Sequence, residues 1–527
     1  MHHKRIFHTI HPFLFAVFPA LFLFSNNMGQ VPPGDLIIPI TLSIFFALCL
    51  LAILAFLMKG IQKAELSSSL LILFFFFYGP AYDARAVLGL GPFLLSLPYD
   101  SSIVFLIIWS VLAFISIYCV LKYCRSLLTV TRAFNIIAIV LIVMPLANIF
   151  RYTITKNMAW WSSANSEDKL SLPINSKADL IRPDIYYIIL DSYAGIDVLK
   201  EFYDFDNSVF YNFLLEKGFH IIRNSKSNYS WTMLSLASSL NLDYIVPLFD
   251  NHYDANSNDT APLIKMIKNN RTMHILKEFG YKSVAFSAWY AGLDMSTADI
   301  YFRPNFFLNE FHFALLNTTP IPVAAKNLAS FDIISAAYKG NILYKLNSLG
   351  SAIKKGADAP LFVFLYLEAP HPPFVFRPDG KEINLVGWHN DREGNWRIDK
   401  GNLTKAEFIH LYTDQLQFIN NSLRAVIDRI LNESNIKPII LLQSDHGPHS
   451  KFFWDRSDAL NQREGVAILN ALYSPSSDGD YLYGGMTPVN TFRMIFNKYF
   501  GGNYRLLADK SYFSTAQYPY KFIEIGH

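Results

Sequence analysis

The chain has 527 residues, of which 52% are hydrophobic, and a formal net charge of +3. Its mean hydropathy of +0.22 is high for a soluble protein, while near-neutral charge without a basic run excludes nucleic acid as a partner. The cysteines, Cys49, Cys119 and Cys124, all precede residue 150. The stretch 151–527 therefore holds no disulfide and no cysteine nucleophile, which fits an exported bacterial domain.

A helix crosses a bilayer with about 20 apolar residues. Apolar runs near 10–25, 36–58, 66–79, 102–121 and 133–150 predict about five transmembrane spans within a domain 1–150. The first and third are short, a length that also suits a buried core helix. Lys and Arg alternate between the intervening loops. Lys4 and Arg5 precede the first run, and 26–35 carries neither type. Lys59 and Lys63 follow the second, only Arg85 follows the third, and Lys122, Arg125 and Arg132 follow the fourth. Positive loops stay inside, so the N-terminus lies inside and everything after Phe150 outside. No small-x-small cleavage site stands near Ser25, so the first run reads as an uncleaved anchor. These features predict a multi-pass protein of the bacterial cytoplasmic (inner) membrane with a periplasmic or extracellular domain. The apolar stretch 86–98 reads as a packed loop, and 151–183 as a juxtamembrane linker.

From 184 to 527 the pattern changes. Strands are expected at 184–190 (DIYYIIL), 282–287, 361–367 (LFVFLYL), 438–442 and 466–473, with helices at 271–279 and 405–431. Uniformly apolar strands separated by helices are buried on both faces. They predict an α/β sandwich with a mostly parallel central sheet.

Ligands bind such sheets beyond the carboxyl ends of the strands. Asp191 follows the first strand, in LDSYAG. Glu368 and His371 follow LFVFLYL, in EAPHPPF. Asp445, His446 and, a little further, His449 follow the strand at 438–442, in QSDHGPH. Each alone is ordinarily a turn or cap residue. Three such clusters at one end of one sheet are what a divalent metal such as zinc or manganese requires.

These residues resemble the alkaline phosphatase/sulfatase superfamily over 184–500: an acid ending a strand, a later HxPF-type turn, and a strand ending in SDHG. Apolar spans ahead of such a domain resemble lipoteichoic acid synthases and lipid A phosphoethanolamine transferases. The family implies a nucleophile within SNYSWTMLSLASSLN, 227–241. The C/S-x-P-x-R pattern of sulfatases is absent there. The transferases carry Thr with Ser three residues later, which Thr232 and Ser235 match, so the resemblance assigns Thr232. Ser230 and Ser235 are alternatives, and a small-residue helix face packed on the sheet is the structural alternative. The transferases usually begin with Glu-Ser where this chain has Asp191–Ser192.

The resemblance further implies one divalent metal, zinc or manganese with magnesium as an alternative, held by Asp191, Thr232, Asp445 and His446. His371 would then bind the phosphoryl oxygens or protonate a leaving group, and His449 would take the second acid–base role or stand near a second metal, its alternative being a solvent-exposed loop histidine; Glu368 reads as structural, and Arg463 as a surface ion pair or else a guide for an anionic group. A metal depresses the pKa of a hydroxyl, and a helix start favours a bound phosphoryl group. The implied function is transfer of a phosphoryl headgroup, through a phospho-threonine, from a membrane lipid to a cell-surface glycan or lipid. The alternatives are a phosphodiesterase, phosphatase or sulfatase acting on surface polymers, and a non-catalytic membrane scaffold. The oligomeric state leaves no mark in the sequence.

Overall fold

The computed structural model describes residues 10–87, 101–123, 126–163, 182–249, 254–305, 307–329, 333–355, 359–383, 404–448, 459–475, 481–515 and 518–526. Cys124, most of the 86–98 segment and most of the 151–183 linker fall outside them. The chain forms two compact units. The first combines Met1–Lys169 with Leu308–Ile334, and the second combines Leu170–Phe307 with Ser335–His527.

The first unit contains five apolar helices: α1 (His11–Asn26), α2 (Ile37–Met58), α3 (Ile61–Val87), α4 (Ser101–Tyr123) and α5 (Leu127–Ser163). Four are long and apolar enough to cross a membrane, whereas α1 is a shorter apolar helix. The expected count of about five spans is thus one more than the long apolar helices among the described residues. The reason is length: the 16 residues of α1 rise about 24 Å, short of a hydrocarbon core of about 30 Å. The apolar window of α3 is 56% buried against 6–17% for the other three, which makes α3 the central helix. It starts at Ile61, ahead of the apolar run, and buries Glu65, Ser67, Ser68 and Ser69. The outer helices expose large apolar side chains instead, such as Phe56, Phe114 and Phe150, as a lipid-facing surface does.

Polar contacts tie these helices together. His11 Nδ1 and Ser69 Oγ share a hydrogen bond of 2.5 Å between α1 and α3, and the Trp109 indole donates to the Phe74 carbonyl at 2.7 Å. Two short helices, Glu310–Leu316 and Ile321–Ala329, belong to the same unit. The Asn309 amide donates to the Asp35 carboxylate at 2.6 Å, and the Gly79 N–H donates to the Thr318 carbonyl at 2.9 Å. Nothing local in 308–334 announces this membership. The partners are tertiary and lie more than 200 positions upstream.

The second unit is built on a seven-stranded sheet of β1 (Ile185–Leu190), β2 (His220–Ile221), β3 (Lys282–Phe286), β4 (Ile300–Phe302), β5 (Leu361–Leu367), β6 (Ile439–Ser444) and β7 (Asn470–Tyr473). The order is β2–β7–β6–β1–β5–β3–β4. β1 runs parallel to both β5 and β6, and β3 parallel to β5 and β4. β7 is antiparallel to β6 and to β2, so the sheet is mixed but mostly parallel, as the apolar runs predict. The strand expected at 466–473 begins later, at Asn470, because Val466 closes the helix Ala459–Val466. β2 and β4 were not anticipated: two and three residues are too few to carry a periodicity.

Every residue of β1, β5 and β6 is buried, as the central strands of a sheet covered on both faces must be. On one face Tyr187, Ile189, Phe364 and Leu441 pack with Leu236 and Leu240 of α6 (Thr232–Asn241) and with Phe492. Two longer helices complete the unit near the site: α7 (Ile333–Lys355) and α8 (Lys405–Glu433). A capping box opens α8, with Thr404 accepting from the Glu407 N–H and Glu407 reaching back.

Candidate active site

Strand register brings the site residues together. Leu190 of β1 is level with Leu367 of β5 and with Ser444 of β6. The next residues along, Asp191, Glu368 and Asp445, therefore leave the sheet side by side at its carboxyl edge. Asp191, Asp445 and His446 are buried, and their ligating atoms lie within 4.8 Å of one another. His446 Nε2 is 3.6 Å from Asp191 Oδ1 and 3.6 Å from Asp445 Oδ2.

The backbone around these groups is tightly specified. Ser192 sits in the left-handed region at φ 61°, a conformation that costs a non-glycine residue strain and concentrates at functional sites. There its N–H donates to Asp445 Oδ1 at 3.1 Å and its hydroxyl to Asp191 Oδ1 at 3.0 Å. Ser444 Oγ links the two strand ends, donating to the Leu190 carbonyl at 2.7 Å and accepting from the Tyr193 N–H at 2.8 Å. Gly447 explains the glycine of the SDHG motif. A Cβ there would meet the Glu464 carbonyl oxygen at 2.0 Å, so no side chain fits.

The hydrogen bonds also fix the imidazoles. His446 Nδ1 lies 2.8 Å from the Gly447 carbonyl oxygen, which only accepts, so Nδ1 carries the proton and Nε2 presents its lone pair. Thr232 Oγ1 lies 3.1 Å from that Nε2. Thr232 is the first residue of α6, following the extended Trp231, and the first N–H groups of a helix have no acceptor within it. His371 Nδ1 is likewise committed, at 2.5 Å from the Pro372 carbonyl oxygen. Burial holds the His371 imidazole below its ordinary value, which favours the neutral form with its lone pair on Nε2.

Two features suit a divalent cation. Burial and the charge of Asp445 raise the Asp191 carboxyl well above the usual carboxylate range, against the opposing effect of His446 and of hydrogen bonds from Tyr366 and Ser192. Two adjacent carboxylates in a dry setting need a positive charge between them. In addition, Asp445 Oδ2 is buried and accepts no hydrogen bond, the state expected of an atom reserved for a ligand. The donor set of two carboxylates, an imidazole and a hydroxyl fits zinc or manganese.

Beside these groups lies a cavity of about 240 Å³. Asp191, Thr232, His371 and His446 line it, together with Trp231, Met233, Leu234, Thr260, Leu263, Tyr290, Leu293 and Pro519. Ser230 and Ser235 do not. The Ser235 hydroxyl donates to the Tyr229 carbonyl at 2.8 Å, a packing role inside the helix turn. His449 lies outside the described residues. Arg463 pairs with Glu201 at 2.7 Å on the surface. Glu368 turns inward, where Lys345 Nζ of α7 reaches both of its oxygens at 2.6 Å in a wholly buried pair, and the Trp289 N–H donates to it at 2.7 Å.

Three participants were missed by the sequence reading. Tyr366, inside the apolar run of β5, donates its hydroxyl to Asp191 Oδ2 at 2.5 Å. Ser192 binds both aspartates. Gln415 of α8 donates to the carbonyls of Pro370, His371 and Pro373 at 3.3, 3.0 and 3.3 Å and accepts from the Val375 N–H, so it holds the His-Pro-Pro turn. The signal for Tyr366 was a phenol in an otherwise apolar buried strand, which needs a partner. A glutamine on a helix carries no comparable signal.

No family model and no curated protein sequence matches the chain. Among solved structures the chain is similar to phosphoethanolamine transferases, one of the groups that its motifs resemble. The C-terminal periplasmic domain of EcEptC from Escherichia coli shares 11% identity at a TM-score of 0.42, over 66% of this chain and 94% of that one. The C-terminal periplasmic domain of phosphoethanolamine transferase EptC from Campylobacter jejuni shares 11% at 0.39, over 62% and 91%. The integral membrane protein lipooligosaccharide phosphoethanolamine transferase A from Neisseria meningitidis shares 11% at 0.38, over 92% and 94%.

Proposed function

We propose that this protein is a metal-dependent transferase. It would move a phosphoryl headgroup from a membrane lipid to a cell-surface glycan or lipid, through Thr232, on the outer side of the cytoplasmic membrane. The observation that carries the reading is the hydroxyl of Thr232 at 3.1 Å from His446 Nε2, at a helix start, with two buried aspartates alongside and a cavity lined by Thr232, His446 and Asp191. The apolar helices supply the second support, since a chain anchored in a bilayer shares it with a lipid donor.

Asp191, Asp445, His446 and Thr232 would hold the metal, which when bound supplies Lewis-acid stabilisation of phosphoryl charge and a lowered hydroxyl pKa. The residues themselves do the rest. Thr232 Oγ forms a bond to phosphorus as the bond from phosphorus to the lipid oxygen breaks, and the threonine proton ends on the departing alkoxide. The N–H groups at the start of α6 orient the phosphoryl oxygens. In the second half-reaction the acceptor hydroxyl oxygen bonds to phosphorus as the bond from phosphorus to Thr232 Oγ breaks, and the acceptor's proton passes to the released threonine oxygen. His371, in its neutral form with the lone pair on Nε2, is suited to relay that proton. Its place is held by Gln415 and by its own N–H donating to the Asp191 carbonyl at 3.1 Å.

The test is incubation of the purified full chain with phospholipid carrying a labelled phosphate, with and without a glycan or lipid acceptor. An adduct on Thr232, found by mass spectrometry and discharged only when acceptor is present, supports the transferase. Headgroup phosphate released to water without acceptor makes it a hydrolase. Absence of both adduct and turnover in the metal-loaded protein removes the enzymatic reading.

A further inference from the structure

The walls of the cavity beside Thr232 carry information that the metal-binding residues do not. Trp231, Met233, Leu263, Tyr290, Leu293 and Pro519 are half of the residues that line it. Leu263 and Leu293 are each 1% exposed, so they belong to the folded core and do not swing aside. The Trp231 indole is pinned by donating to the Ser514 carbonyl at 2.9 Å. The Tyr290 ring meets the His371 imidazole edge-on, with centroids 6.4 Å apart. Among the described residues no Lys, Arg or Glu lines the cavity, and its acid is Asp191, already committed to the metal-binding group.

This composition discriminates by charge. A cationic substituent on phosphorus, such as an aminoalkyl group, would lose its hydration against leucine, methionine and proline without meeting a counter-charge, which is costly in an apolar setting. An uncharged apolar or ring-shaped substituent gains from the same walls, at about 25 cal/mol per Å² of apolar surface covered. An apolar cavity of about 150 Å³ already admits a benzene ring, and this one measures about 240 Å³.

We propose that this cavity is a subsite for an uncharged, mainly apolar substituent on the phosphorus, making the preferred ligand a phosphoester or phosphonate that carries such a group. The inference rests on the reading of Thr232 as the phosphoryl-accepting residue, since the cavity faces that atom.

Binding tests it without turnover. Calorimetric titration of the manganese-loaded full chain in detergent compares phenylphosphonate with 2-aminoethylphosphonate, two phosphonates that differ in the charge and polarity of the substituent. Phenylphosphonate is expected to bind at least ten-fold tighter. Met233→Glu and Thr260→Glu each place a carboxylate at a half-buried lining position, and should narrow or reverse that ratio while leaving the unfolding temperature near the parent's. Equal affinities, tighter binding of the aminoethyl compound, or binding of neither overturns the subsite, and the parent comparison decides even if a variant fails to fold. Phenylphosphonate preference without any adduct on Thr232 keeps the subsite and sinks the transferase reading, so the two failures are distinguishable.

Discussion

Thr232 Oγ1 and His446 Nε2 lie 3.1 Å apart although 214 positions separate them in the chain. The hydroxyl opens a helix and the imidazole follows a strand, so their meeting depends on α6 packing against the face of the sheet near its carboxyl edge. Replacing Thr232 by Ala removes the proposed nucleophile without touching the aspartates. Headgroup transfer is expected to fall on the order of 10³-fold or more, with the phospho-adduct absent from the peptide spanning 227–241. Thr232→Ser should keep a measurable fraction of both. Undiminished turnover in the alanine variant rejects the assignment.

Asp445 tests the metal. Its unbonded Oδ2 becomes an amide in Asp445→Asn. Elemental analysis of the purified variant should then show less than one divalent ion per chain, with the circular dichroism of the parent retained. In the parent, a chelator should lower the unfolding midpoint. A ligand held at 100 times its Kd contributes about 2.7 kcal/mol, and readdition of zinc or manganese should restore it. A midpoint indifferent to chelator argues against a bound metal.

Tyr366 donates to the one oxygen of Asp191 that Ser192 does not reach. Tyr366→Phe keeps the ring and deletes the donor. Outer hydrogen-bond partners of metal ligands typically contribute 10–100-fold to metal affinity. A loss in that range, measured by competition with a chromophoric chelator, is the expected result, and unaltered affinity would falsify an orienting role.

Gly447 leaves no room for a methyl group, because the Glu464 carbonyl oxygen occupies the space at 2.0 Å. Gly447→Ala must therefore displace either His446 or the segment around Glu464. We expect a stability loss of roughly 1–3 kcal/mol together with weakened metal binding. A variant that binds metal like the parent would mean that the loop moves independently of His446.

Lys345 and Glu368 form an ion pair that is fully buried, and burial pulls the Lys345 ammonium below its ordinary range, opposed by Glu368. Removing one partner leaves a buried charge uncompensated, so Lys345→Met should cost about 3–5 kcal/mol. Adding Glu368→Gln removes the leftover charge while keeping an acceptor for the Trp289 N–H, and should recover part of the loss. Thermal unfolding of the two variants decides, and a double variant no more stable than Lys345→Met contradicts the charge argument.

Periodicity and composition determined much of this protein directly. LFVFLYL and the IYYIIL of DIYYIIL are aliphatic or aromatic at every position, as a short strand buried on both faces is, and the acids after them had to lie at a sheet edge. The long apolar runs of α2, α4 and α5 announce themselves because a bilayer demands an unbroken stretch. Signals fade where the partner is distant. β2 and β4 are too short to show a period, Glu65 hid the start of α3, and residues 308–334 join the apolar helices through contacts such as Asn309 with Asp35. Tertiary structure alone decided that Leu190 is level with both Leu367 and Ser444, that Thr232 rather than Ser235 faces the cavity, and that Gln415 grips the His-Pro-Pro turn. Local sequence states which conformations a segment prefers. Which atoms then stand 3 Å apart depends on the packing of segments hundreds of residues away, and that information resides in no single stretch of chain.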